Sequence, residues 1–353
     1  MLRALTALLV LVATSCGRAS SPVAGVSTAT FARPLVIAHR GASGLLPEHT
    51  LEAYDLAIAQ GADFIEPDVV STKDGVLVAR HENEIGGTTN VATSRFAHRK
   101  RTAVIDGDTI AGWFVEDFTL AELTTLRARE RLATRSRAND GRFAVPTLDD
   151  VLALVRRRER ETGRPIGVYP ETKHPTHFRS IGLPLEDRLL AVLSRHGFRG
   201  REDAVFIQSF EVGNLKALKE RTSIRLIQLV AEGALPPDLT LGGDRRGASD
   251  FLTPASLREV ALYAFGLGLS KGLVQPVDAQ GLLGTPTTIV RQAHDAGLQV
   301  HVWTLRSDAA FLPAAFKGDP VAEWRHFAAL DVDGMFGDFP AVGVAARTAK
   351  SPD

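Results

Sequence analysis

The chain has 353 residues, 44% of them hydrophobic, which is enough for a sizeable core and suits a single α/β barrel that carries an insertion. Lys and Arg together number 41, as do Asp and Glu, so a formal net charge of zero argues against the basic surface that a nucleic-acid binder presents. The lone cysteine, Cys16, excludes any intramolecular disulfide.

The N-terminus reads as an export signal. Arg3 supplies a positive start, and residues 4–12 form an apolar run too short to span a bilayer. Ala13, Thr14 and Ser15 then precede Cys16, an arrangement that resembles the lipobox of bacterial lipoproteins, where the cysteine is lipid-modified and becomes the first mature residue. Residues 1–16 are therefore expected to be a leader, with the mature protein extracytoplasmic and attached to a membrane only through lipid at Cys16. An ordinary secretory signal is the alternative. Residues 17–33, rich in Ser, Ala, Thr and Gly without apolar periodicity, read as a flexible tether.

From Pro34 onward short apolar runs alternate with longer amphipathic ones, the pattern of βα units on a parallel sheet. Residues 35–39 are the first strand. A helix over 50–60 stops at Gly61, and residues 63–70 are the second strand, with Pro67 awkward inside it. Residues 82–145 break the rhythm with Gly86-Gly87, Arg-rich stretches and one short helix candidate at 120–130, as an inserted lid or subdomain does. A clearer helix opens at Thr147, with Asp150 completing an acidic capping box, and ends at Gly163. Within it Arg156-Arg157-Arg158, followed by Glu159 and Glu161, reads as a solvated face. Strand candidates follow at 166–171, 204–208, 224–230, 264–269, 298–304 and 334–336. With the first two they make eight, which favours a closed TIM-type (βα)8 barrel over residues 34–345, with an insertion after the second strand and a short tail at 346–353.

Active sites of such barrels lie at the C-terminal ends of the strands. There the first strand offers His39 and Arg40. The second offers Glu66 and Asp68, two apart and so on one face, with His81 beyond, and the 166–171 strand offers Glu171 with Lys173 on the same side. Three carboxylates aimed at one small volume repel each other unless their pKa values rise or a cation joins them. All-oxygen ligation suits a hard divalent ion, Ca²⁺ or Mg²⁺. Two histidines, an arginine and a cation would supply what phosphoryl transfer needs: charge neutralisation, a base and an acid. No nucleotide-binding glycine loop and no Gly-x-Ser-x-Gly elbow precedes a helix.

His39-Arg40-Gly41, Pro47-Glu48-His49-Thr50, Glu66-Pro67-Asp68, His81-Glu82, residues 169–175, Gln208-Ser209-Phe210-Glu211, Trp303-Thr304 and residues 333–340 together resemble the glycerophosphodiester phosphodiesterase family, nearest its periplasmic and secreted branch. The resemblance runs from about residue 34 to residue 342. It implies a TIM barrel that hydrolyses small-molecule glycerophosphodiesters such as glycerophosphocholine to glycerol 3-phosphate and an alcohol. It further implies that His39 and His81 form the acid–base pair and that Arg40 binds phosphate. Glu66, Asp68 and Glu171 would hold a divalent ion, with Ca²⁺ favoured. Lys173 would sit by the phosphate, and Trp303 would wall the glycerol pocket or else fill the barrel core. Glu82 stands where aspartate is commoner, so the hydrogen bond by which it would orient His81 must be made by a longer side chain. A lipid-cleaving, phospholipase-D-like enzyme on the same barrel and a non-catalytic lipoprotein that captures phosphate compounds are the alternatives.

Overall fold

The strand candidates pair in parallel and close on themselves. The computed structural model describes residues 34–233 and 236–348, so the expected leader with Cys16, the tether up to residue 33 and residues 349–353 of the tail lie outside the described part. The strands are β1 (Leu35–His39), β2 (Phe64–Glu66), β3 (Asp68–Ser71), β4 (Leu77–Ala79), β5 (Arg101–Ile105), β6 (Asp108–Gly112), β7 (Gly167–Val168), β8 (Glu171–Thr172), β9 (Phe206–Ser209), β10 (Arg225–Val230), β11 (Gly266–Ser270), β12 (Gln299–Leu305) and β13 (Gly334–Gly337).

Their order in the main sheet is β4-β3-β8-β9-β10-β11-β12-β13-β1-β2-β7. Strand β4 adds to β3 antiparallel. Because β2 and β3 are halves of one strand, and β7 and β8 halves of the next, the β3-β8 and β2-β7 ends of that order meet and the sheet, β4 apart, is a closed eight-position barrel. The expected continuous strands 63–70 and 166–171 are thus each interrupted, at Pro67 and at Tyr169-Pro170. The physical reason is proline's missing N–H, which removes a ladder donor. The carbonyls still serve: Glu171 N donates to Pro67 O at 3.0 Å and Gln208 N to Pro170 O at 3.0 Å, so the barrel wall is continuous across both breaks.

Alternation along the strands sorts side chains into lumen and outer layer. Leu35, Ile37, Phe64, Tyr169, Phe206, Ile227 and Phe336 fill the lumen as one apolar cluster. Intervening residues such as Val36, Ala38, Ile65 and Val69 join the outer core beneath the helices. The plug also encloses His301, bonded to the Tyr169 hydroxyl at 2.7 Å, and the candidate residues lie above it at the C-terminal mouth.

Local chemistry sets the helix boundaries. In α1 (Leu51–Ala59) the Thr50 side chain accepts from Ala53 N at the N-cap. Helix α2 (Leu120–Leu123) has a Thr119–Glu122 capping box but lasts a single turn, far short of the expected 120–130. Beyond it the backbone is recruited elsewhere, as Ala128 bridges Thr89 and Arg127 bridges Ala144. Helix α3 (Leu148–Thr162) has the expected reciprocal Thr147–Asp150 capping box and ends at Gly163 in the left-handed region, φ 64°. Arg156 and Arg158 pair with Glu159 and Glu161 on its outer face.

The insertion is packed into the body of the barrel. Ile85, Val91, Phe96, Val115, Phe118, Leu123 and Leu126 belong to the same buried core as the barrel's outer layer. It is also pinned by charge. His174, just past β8 in the left-handed region (φ 50°), donates from Nδ1 to Asp106 in the β5–β6 turn at 2.6 Å and from Nε2 to Glu82 at 2.8 Å. Burial works against a charge on His174, but the bonds to Asp106 and Glu82 outweigh it and raise its pKa from 6.5 to about 9. A raised histidine pKa stabilises the fold fully below the ordinary value, and the contribution is lost as pH climbs through about 9. We expect wild type to exceed His174→Gln in stability by on the order of 2–3 kcal/mol at pH 6, with the difference gone by about pH 10. Urea midpoints of both proteins across that range check this, and a pH-independent difference would refute the imidazolium clasp.

Candidate active site

At the barrel mouth, register brings the acids together. His39 pairs with Glu66 across β1 and β2, Asp68 with Glu171 across β3 and β8, and Glu171 with Gln208 across β8 and β9. Donor oxygens of Glu66, Asp68 and Glu171 all lie within 4.8 Å of one another, and all three residues are buried. His39, Arg40, Glu66, His81, Glu171, Lys173 and Trp303 line one cavity of about 250 Å³, with Gln208, Phe210, Thr304 and Arg306 completing much of the wall. Asp68 lies in the acid cluster without lining the cavity.

Each acid has a cationic or N–H partner. Glu66 accepts from Arg40 N at 2.8 Å and from Gln208 Nε2 at 3.0 Å. Asp68 Oδ2 receives His49 Nε2 at 2.9 Å and faces Arg40 Nε at 3.4 Å. Glu171 Oε1 accepts from Lys173 Nζ at 2.9 Å. These partners do not satisfy the cluster. Burial and the neighbouring Asp68 charge push Glu66 well above the usual carboxylate range. Burial pushes Glu171 up to about 8, with Lys173 opposing and Asp68 reinforcing the shift. Asp68 resists its own burial and stays well below the usual range because His49 and Arg40 hold its charge. Its other oxygen, Oδ1, is buried with no hydrogen-bond partner. A buried anionic oxygen left over among three carboxylates fits a hard, oxygen-loving divalent cation.

The histidines share one arrangement. His39 Nδ1 meets Asp338 Oδ1 at 2.6 Å, and His81 Nδ1 meets Glu82 Oε1 at 2.7 Å. In each case the carboxylate occupies Nδ1; this leaves His39 Nε2 for the cavity, while His81 Nε2 meets Lys173 Nζ at 3.4 Å on the cavity wall. Burial, then Arg40, lowers His39 to about 4 against the pull of Asp338. Burial, Arg40 and Lys173 lower His81 to about 3. Both rings are therefore neutral at neutral pH. Glu82 spends its extra methylene on reach: Oε1 holds His81 while Oε2 holds His174 at 2.8 Å. Arg40, whose backbone sits in the left-handed region (φ 58°), is fixed by Glu48 at 3.0 Å, and Glu48 also receives Arg131 Nε at 2.7 Å. Trp303 is half-buried on top of the lumen cluster and meets Phe210 edge-on at 5.9 Å, so it serves as both core lid and cavity wall.

The structure thus assembles every candidate side chain at one mouth. Sequence reasoning assigned no part to Asp338, Gln208, Glu48 or Arg135. Inward parity from Phe336 on β13 could have found Asp338, and parity from Phe206 on β9 could have found Gln208. Arg135, in irregular chain, carries no such signal.

Comparison with known proteins agrees with this geometry. The model of the glycerophosphoryl diester phosphodiesterase family matches residues 39–342. Glycerophosphodiester phosphodiesterase GDPD6 of Arabidopsis thaliana is 34% identical over 334 residues, covering 91% of this chain and 87% of the relative. The glycerophosphodiester phosphodiesterase of Haemophilus influenzae is 32% identical over 341 residues, covering 88% of each. Among solved structures, the glycerophosphodiester phosphodiesterase of Agrobacterium tumefaciens is similar with a TM-score of 0.55 at 23% identity, over 88% of this chain and 98% of that one. An Oleispira antarctica phosphodiesterase, solved in complex with the product sn-glycerol-3-phosphate, gives 0.57 at 21% identity, over 90% and 97%. With a family match across nearly the whole barrel and relatives above 30% identity over most of both chains, this chain belongs to the glycerophosphoryl diester phosphodiesterase family and is a phosphodiester hydrolase.

Proposed function

We propose that the cavity hydrolyses glycerophosphodiesters such as glycerophosphocholine to sn-glycerol 3-phosphate and an alcohol, with His39 and His81 as the acid–base pair. The observation that carries this reading is the paired tethering of both rings at Nδ1 beside a buried acid triad. The related Oleispira enzyme's complex with sn-glycerol-3-phosphate supports the product. Glu66, Asp68 and Glu171 would hold a divalent ion, Ca²⁺ in preference to Mg²⁺, since a carboxylate-rich mouth open to a diol suits the larger, looser shell. Bound there, the ion neutralises phosphoryl charge and acidifies a glycerol hydroxyl.

Neutral His39 takes the proton of the glycerol hydroxyl beside the phosphate, whose oxygen attacks phosphorus in line and closes a cyclic phosphate. Arg40 and Lys173 hold the non-bridging oxygens. His81 gives a proton to the departing alcohol; burial, then Arg40 and Lys173, disfavour that proton, and the incoming phosphodiester anion counters the two cations. Water then opens the ring with the two roles reversed, and both histidines return to their starting states. Trp303 walls the glycerol end of the cavity.

Four measurements check this reading. Chelation should abolish turnover of glycerophosphocholine, with Ca²⁺ restoring it better than Mg²⁺. Full activity of metal-stripped Glu66→Gln would remove the triad from the reaction. Alanine at His39 or His81 should each lower kcat by about two to four orders of magnitude. A substrate with an activated phenolic leaving group should rescue His81→Ala alone; rescue of His39→Ala alone would reverse the roles, and rescue of neither would sink the scheme.

We also propose that the mature protein is extracytoplasmic and anchored through lipid on Cys16, on the strength of the short apolar run and small residues before it. Cys16→Ser should release the protein from the membrane fraction or block its processing. Unchanged fractionation would leave a plain signal peptide.

A further inference from the structure

Arg135 comes from the insertion, yet its guanidinium is buried among three loops at the barrel mouth, with 6% of the side chain exposed. Nε and NH2 fork onto Asp308 at 3.0 and 2.7 Å, beyond the end of β12. NH1 donates to Ser43 O at 2.9 Å, beyond β1, and NH2 also reaches Asp338 Oδ2 at 2.5 Å. All three nitrogens are engaged, a pattern that the planar fork of arginine permits and lysine does not.

The consequence falls on His39. Asp338 Oδ2 is taken up by Arg135 and by Arg306 Nε at 3.0 Å, so its carboxylate cannot rotate freely and only Oδ1 is turned to His39 Nδ1. We propose that Arg135 is a positioning residue for His39, fixing through Asp338 the ring orientation and the Nδ1–H tautomer that present Nε2 to substrate. The insertion then supplies a working part of the proton-transfer machinery from a segment outside the barrel. This rests on the reading of His39 as an acid–base group, and the test separates the two.

Steady-state kinetics of the full chain with glycerophosphocholine and saturating Ca²⁺ would compare Arg135→Gln, Arg135→Lys, His39→Ala and the double variant Arg135→Gln/His39→Ala. Arg135→Gln should lower kcat by about 10–100-fold with KM changed less than about threefold, and Arg135→Lys should restore little of it. In the His39→Ala background the same substitution should cost less than about twofold, because its route to the substrate is gone. An undiminished loss in that background, or a loss carried by KM, overturns the proposal. Full activity of His39→Ala would instead overturn the assignment of His39 itself.

Proton NMR adds a readout that a mere brace would not move. The Nδ1–H resonance of His39, identified by its absence from His39→Ala, should shift or broaden in Arg135→Gln. Should Arg135→Gln fail to fold, Asp308→Asn decides: it loosens the fork that holds Arg135 against Asp338 Oδ2, and should lower kcat by roughly 2–10-fold with the same resonance perturbed. Wild-type kcat with an unmoved resonance in that variant overturns the proposal.

Discussion

Three carboxylates in register, with their side chains out of water, are the constraint around which the rest of the mouth is arranged. Asp68 opposite Glu171, with Glu66 one strand over, puts like charges within 4.8 Å of one another. At an effective dielectric of about 20, two unit charges 4 Å apart differ by roughly 4 kcal/mol from the isolated pair, which is comparable to a large part of a domain's net stability. Nothing in an apolar barrel lumen offsets that. The surroundings therefore had to be cationic and hydrogen-bonding: Lys173 meets Glu171, His49 meets Asp68, Gln208 meets Glu66, and Arg40 meets both Glu66, through its backbone N–H, and Asp68, through its guanidinium.

The same cations create the next requirement. Arg40 and Lys173 suit a phosphoryl anion, but burial and Arg40 depress both histidines, with Lys173 adding to the effect on His81 and Arg306 to that on His39. A ring so placed keeps a defined tautomer only if something holds its far nitrogen. Asp338 and Glu82 do so, and they in turn are held by cations, Arg135 and Arg306 for one and His174 for the other. Charge thus alternates outward from the acid triad to the insertion, and each shell follows from the uncompensated charge of the one inside it.

That ordering explains what could be read from the sequence. The triad and His39 sit on strand ends, where period-two alternation and the barrel's closed geometry dictate which side chains face the mouth; Arg40, His81 and Lys173 lie just past such ends, Arg40 with a left-handed backbone that breaks the alternation. Pro67 already marked the second strand as irregular, and the break there leaves Glu66 and Asp68 in one cluster. The reach of Glu82 became clear only in three dimensions, because its second partner, His174, is 92 residues away. Arg135 and Asp338 are separated by 203 residues, and no local periodicity encodes a contact of that kind. Helix α2 ends early for a similar reason: residues with good helical spacing give up their backbone groups to bridges with Thr89 and Ala144.

The two halves of the chemistry therefore have different structural origins. The three clustered carboxylates come entirely from barrel strands and would persist in any chain that closed the same barrel with the same strand ends. The groups that fix the histidines come in large part from residues 82–145: Glu82 directly, Asp106 through His174, and Arg135 through Asp338. The insertion shares its apolar core with the barrel, so these contacts are held by packing as firmly as the strands themselves. A barrel of this kind stripped of its insertion would keep its acid cluster and the Asp338 contact to His39, while losing Glu82 beside His81 and the Arg135 anchor of Asp338. The segment that breaks the βα rhythm thus supplies hydrogen-bond partners to the candidate site as well as part of the shared core.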